Sequence, residues 1–132
     1  MTAVTLFKGV TAAQTMPTPV QGVPPPANLP PGNLGYQVIG GAGSSVLGPA
    51  GITWQAILKA ASAGVSGSAT VNPLVSNDGL NWSNAAINLM TIPSGPAPQT
   101  AISSTASNFV WIAAYVSAIG GVGATCDCVA NV

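Results

Sequence analysis

Along most of the chain, apolar and polar residues alternate in short runs, with the two-residue period of half-buried strands. From Gly35 onward this pattern predicts strands at 35–40 "GYQVIG", 52–60 "ITWQAILKA", 68–76 "SATVNPLVS", 80–88 "LNWSNAAIN", 99–104 "QTAISS", 107–118 "SNFVWIAAYVSA" and 122–131 "VGATCDCVAN". Between them lie turn clusters: "GGAGSS", "SAGVSG", "NDG", "PSGPAP" and "GG". Short strands with turn signals at this spacing define an all-β fold, an antiparallel β-sandwich or jelly roll. There is no internal repeat.

Two segments carry more detail. In 107–118, Phe109, Trp111, Ala113 and Tyr115 share one face, and Val110, Ile112, Ala114 and Val116 share the other. A strand apolar on both faces needs cover on both: the opposing sheet, and then an arm, a loop or a neighbouring chain. Pro73 interrupts "TVNPLVS" and places that strand at an edge or a bulge.

The first residues break the β pattern. Seven of the 12 prolines fall before Gly35, in "MPTPVQGVPPPANLPPGNLG". Proline excludes helix and central strand there, leaving an extended polyproline-type backbone. At about 3.1 Å per residue, residues 11–34 reach on the order of 70 Å at most. Ahead of them, "TAVTLFKGV" reads as a short strand. The chain therefore divides into an extended Pro-rich N-terminal arm, 1–34, and a β-sandwich domain, 35–132. The arm either docks on another subunit by strand addition, through Val4, Leu6, Phe7, Val10, Pro24, Pro25 and Pro26, or is a flexible tail, or folds back on its own domain. If it docks, its deletion should weaken assembly and leave the fold intact.

Composition sharpens the functional reading. Charged residues are 3% of the 132, against about 25% in ordinary soluble domains. They are Lys8, Lys59, Asp78 and Asp127; the net charge is zero and there is no histidine. A neutral chain lacks the repulsion that keeps monomers apart, so assembly is expected, as a homo-oligomer, dimer or trimer. Two lysines cannot neutralise a row of phosphates, so no direct nucleic-acid partner is expected. The longest apolar run, "FVWIAAYV", is too short for a membrane helix. The opening residues show no export signal, which points to the cytoplasm. With two Asp and no Glu or His, triads and paired carboxylates are nearly excluded, so no enzyme and no cofactor is expected.

Cys126 and Cys128 lie two apart in "TCDCV". On a strand they point the same way about 6.6 Å apart, too far for a mutual disulfide. Buried thiols, thiols bridging to a neighbouring subunit and a metal shared between subunits remain open.

"VSNDGLNW", residues 75–82, is the most patterned stretch. Asp78-Gly79 is a preferred central pair of a type I′ hairpin turn, with both residues at positive φ. Trp82 then falls on the returning strand. A structural turn formed by Asp78, Gly79 and Trp82 accounts for every residue. The stretch also looks like the Asp-box turn of sialidase-type propellers, S-x-D-x-G-x-x-W, with Asp and Gly adjacent here and a single copy present.

"VSNDGLNW" followed by a strand with Tyr115, Ile119, Gly120 and Thr125 resembles small β-sandwich virion proteins of tailed bacteriophages. There an S-x-D-G-x-x-W hairpin precedes a Y-x-x-x-V-x-x-I-x-G-x-x-x-T ending. The resemblance covers about residues 50–132. It implies a non-enzymatic virion structural protein, a capsid decoration or cement protein assembled in the host cytoplasm. Its partners would be the major capsid protein or other virion proteins. The alternative is a neck, tail or fibre component or a carbohydrate-binding module; Trp54, Trp82 or Trp111 would then stack on sugar rings, unless all three are core.

Overall fold

The computed structural model describes residues 3–16, 23–39, 51–84, 88–105 and 109–132. These residues form eight strands and no helix: β1 (Ala3–Val10), β2 (Tyr36–Gln37), β3 (Ile52–Lys59), β4 (Ser66–Ser76), β5 (Met90–Pro96), β6 (Gln99–Thr105), β7 (Trp111–Gly121) and β8 (Thr125–Asn131). They make two four-stranded sheets, one ordered β1-β8-β3-β6 and the other β2-β7-β4-β5. Every pairing is antiparallel. The fold is all-β, two sheets sandwiching one core.

Alternation builds that core. In β3, Ile52, Trp54, Ala56 and Leu58 are buried, while Thr53, Gln55 and Ile57 point outward. β8 adds Cys126, Cys128 and Ala130 beside them. From the other sheet come Val71 and Val75 of β4 and Ile112, Ala114 and Val116 of β7. The indole of Trp54 crosses the gap and donates to the carbonyl of Ala113, 3.0 Å away. This satisfies the one polar atom of the largest core side chain.

Several expectations change. The predicted strand 80–88 is not one: among its described residues only Ser83 pairs, as a single bridge to Val75. The strand lies further on, as β5, and takes in most of "PSGPAP", expected as a turn. Met90 and Ile92 face inward and β5 is an edge strand, where proline is tolerated. Strand 35–40 shrinks to two residues, and the loop "GGAGSS" lies outside the described residues. Pro73 sits in an interior strand, opposite Ala114, but just beyond the last β4–β5 pair, Val71 with Met90. Its missing N–H therefore faces no β5 partner.

The largest correction concerns residues 1–34. β1 does not project from the sandwich: it is the edge strand of the first sheet, paired with β8. Leu6 and Phe7 are both fully buried. Neighbouring residues on a regular strand face opposite ways, and a bulge removes the conflict. The register steps from Thr5 opposite Val129 to Phe7 opposite Cys128, so Leu6 is an inserted residue. Residues 17–22 of the expected arm lie outside the described residues.

Candidate functional site

The expected interface residues divide: those of β1 join the core, and the prolines meet the expected turn. Val4, Leu6, Phe7 and Val10 pack on the chain's own core. Pro24, Pro25 and Pro26 are exposed, yet they run alongside the Asp78 loop. Ala27 N–H donates to Gly79 O at 2.9 Å, the Asn28 side-chain amide to Leu80 O at 3.2 Å, and the Trp82 indole N–H to Ala27 O at 2.9 Å. Asn28 takes a left-handed φ of 65°, a conformation asparagine tolerates, and so turns its amide toward Leu80.

The loop is not a two-residue type I′ hairpin. Gly79 has φ +72°, but Asp78 does not share the left-handed region. Residues 76–82 form a wider loop closed by paired backbone bonds between Val75 and Ser83, 2.9 and 3.0 Å. Side chains set its shape. Ser76 Oγ accepts the N–H of Gly79 at 2.9 Å and donates to Asp78 Oδ1 at 2.9 Å. Asp78 Oδ1 also accepts the N–H groups of Leu80 and Asn81, both at 2.8 Å, and Oδ2 accepts the Asn81 amide at 2.7 Å. Such side-chain bonds to nearby backbone compete with hairpin register. The Asn81 N–H, then the Asn81 side chain, Leu80 N–H and Ser76 hydroxyl, hold the Asp78 carboxyl far below the usual carboxylate range. It stays ionised, with its oxygens engaged inside the loop.

Glycine is required at the junction. A Cβ on Gly79 would lie 2.7 Å from Pro25 Cβ and 3.0 Å from the Trp111 ring. A Cβ on Gly35 would meet Pro26 at 2.6 Å and the Trp82 ring at 3.2 Å. Trp111, on the second face of β7, thus lies beside Gly79 and Pro25 of the chain itself. Beside the loop lies an open cleft of about 290 Å³, lined by Val75, Ser76, Asn77, Asp78, Asn81, Ser83 and Phe109. It offers amides, hydroxyls and one aromatic ring.

Of the three tryptophans, Trp54 is wholly buried and cannot meet a ligand. Trp82, in the loop, and Trp111, beside Gly79, are half-buried.

Asp127 has a role that no sequence signal revealed. A second β1 bulge places Lys8 and Gly9 opposite it, with Gly9 at φ +69°. Gly9 N–H donates to Asp127 Oδ1 at 2.8 Å, and the Lys59 ammonium to Oδ2 at 3.0 Å. Burial raises the Asp127 pKa, but the Gly9 N–H, the Lys59 bond and charge, and the Lys8 charge outweigh it, leaving the carboxyl low. Its charge fixes the strand edge.

The flanking Cys126 and Cys128 are free and buried. Burial, and then the Asp127 charge, pushes the Cys126 thiol up to about 11; burial, and then Cys126, raises Cys128 further. Burial therefore keeps both side chains as neutral thiols near neutral pH. Among the described residues no group of three or more potential metal-ligating side chains occurs, and no helix is long and apolar enough to cross a membrane.

No protein-family model, curated protein or solved structure matches the chain.

Proposed function

We propose that the protein is a non-enzymatic structural component of a bacteriophage particle, a decoration or cement protein held on the capsid by uncharged contacts with the major capsid protein. The observation that carries the reading is the surface chemistry. Lys59 and Asp127 neutralise each other, and the Asp78 oxygens are taken by its own loop. What remains for a partner, besides exposed Lys8, is an almost ion-free surface of Ser, Thr, Asn, Gln and apolar groups that include Leu34, Leu89, Ile102 and Val122, suited to burial against protein.

The strand pairing supports the same reading. β1 pairs with β8, β2 with β7, β3 with β6 and β4 with β5, so the chain folds back on itself between β4 and β5 and then rolls. We read that winding as a jelly roll, an architecture used by viral capsid and lectin domains. Attachment through neutral contacts survives high ionic strength, because screening weakens only charge–charge terms. The expected result is retention on purified particles in about 1 M salt and release in urea. Release by salt alone would refute the uncharged seam.

The Asp78 cleft favours a second reading, a carbohydrate-binding module in a fibre or tail. Asn77, Asn81 and Ser83 would bond sugar hydroxyls beside the Phe109 ring. Titration with neutral sugars should then change the fluorescence of Trp82 and Trp111 in the parent chain but not in Phe109→Ala. An unresponsive parent chain removes this reading.

A further inference from the structure

The four sheet edges are built differently. β1 carries two register breaks and an exposed lysine, Lys8. β5 carries Pro93 and Pro96 and a register shift against β4. β2 is two residues long, and beyond it the edge of β7 is closed by Gln14 and Asn33. Bulges, lysine, proline, short strands and covering loops are the devices that stop a sheet edge from recruiting another strand.

Among the described residues, β6 has none of them. Gln99–Thr105 has no proline, glycine or charge, and it pairs with β3 over its whole length without a register break. It ends its sheet. Among the described residues, no backbone bond from a loop reaches 100–104. Ser103 turns inward and donates to Asn88 O at 2.8 Å, while Thr100, Ile102 and Ser104 form the outward row. Ile102 is 64% exposed, in the middle of the strand.

We infer that β6 is the edge along which the protein pairs with a second copy of itself, antiparallel, about a two-fold axis at Ile102. The sequence of β6 suits its own reverse. Ile102 would face Ile102 of the second copy, Thr100 would face Ser104, and Ala101 would face Ser103. No like charges meet, and Ile102 is covered. The sheet β1-β8-β3-β6 would continue across the axis with neighbouring strands about 4.8 Å apart. A chain of zero net charge adds no long-range repulsion to this encounter. The inference rests on the sheet edge and not on attachment to a particle, so the purified chain tests it alone.

Sedimentation equilibrium of the purified protein should give twice the 12.9 kDa chain mass at high concentration. Ile102→Lys opposes two ammonium groups across the axis and touches no core residue. It should raise the dimer dissociation constant about ten-fold or more, with thermal unfolding unchanged in dilute solution where both chains are monomers. Ile102→Cys should form a disulfide-linked dimer under mild oxidation. Val122→Cys, 74% exposed on the turn after β7, should not. A parent chain that stays at 12.9 kDa overturns the inference. So does a dimer indifferent to Ile102→Lys, or an Ile102→Cys chain that crosslinks no better than Val122→Cys.

Discussion

Gln14 and Asn33 hold each other by two reciprocal side-chain amide bonds, each 3.0 Å, and together close the exposed edge of β7. Gln14 bonds both backbone groups of Val116, its N–H giving 2.7 Å to the carbonyl and its Oε1 taking the Val116 N–H at 3.1 Å. The Asn33 amide reaches Ala114 O at 2.8 Å. Two residues from the proline-rich segment thus stand in for a missing neighbour strand.

Asn33→Ala should leave the buried Ala114 carbonyl and the Gln14 amide without this partner. A loss of about 1–3 kcal/mol is expected, read from the urea midpoint at unchanged m-value. Gln14→Ala and the double variant complete a cycle, and the two losses should not add.

The proline-rich segment is part of the folding unit, contrary to a detachable arm. Removing residues 1–34 exposes the β8 edge and takes Leu6 and Phe7 from the core. The truncated chain should lose its cooperative thermal transition by circular dichroism. Phe7→Ala in the full chain should cost about 3–5 kcal/mol.

Gly79 is where the loop, Pro25 and Trp111 converge. Gly79→Ala must take a left-handed backbone with a Cβ, at about 1–2 kcal/mol, and displace Pro25 and the Trp111 ring besides. Chemical denaturation should show at least that loss. Asn77→Ala, on the exposed side of the same loop, should be near neutral.

Acid sensitivity should be simple, because the side chains offer two carboxyls and no histidine. Both are held low in the folded state, so their contribution is complete above the unfolded value of about 3.9. It is lost as pH falls through the folded values. The urea midpoint should be level between about pH 5 and pH 8 and fall below about pH 4. Asp127→Asn should flatten part of that fall and lower the midpoint at neutral pH, by removing the Lys59 pair.

Much of the sandwich was legible, for reasons visible in single strands. β3 alternates cleanly over Ile52–Leu58, and the glycines after β7 mark its turn. Where the reading went wrong, a side chain or a bulge overrode the period. Leu6 and Phe7 are adjacent and both buried, which no two-residue period predicts. Ser76 and Asp78 reshape a turn whose Asp-Gly pair alone suggested a hairpin. Prolines in β5 masked a strand, since they read as breakers until the strand is known to be an edge. The site residues were named separately as arm and turn. Their meeting depends on Ala27, Asn28 and Trp82, which lie far apart in the chain and carry no pattern that joins them.

The central claim is that this nearly ion-free sandwich is a particle component. The most direct measurement is its copy number relative to the major capsid protein in purified phage particles, by quantitative mass spectrometry. The account predicts that it co-purifies with intact particles in numbers comparable to the capsid subunits. Particles assembled in its presence but lacking it would contradict the account.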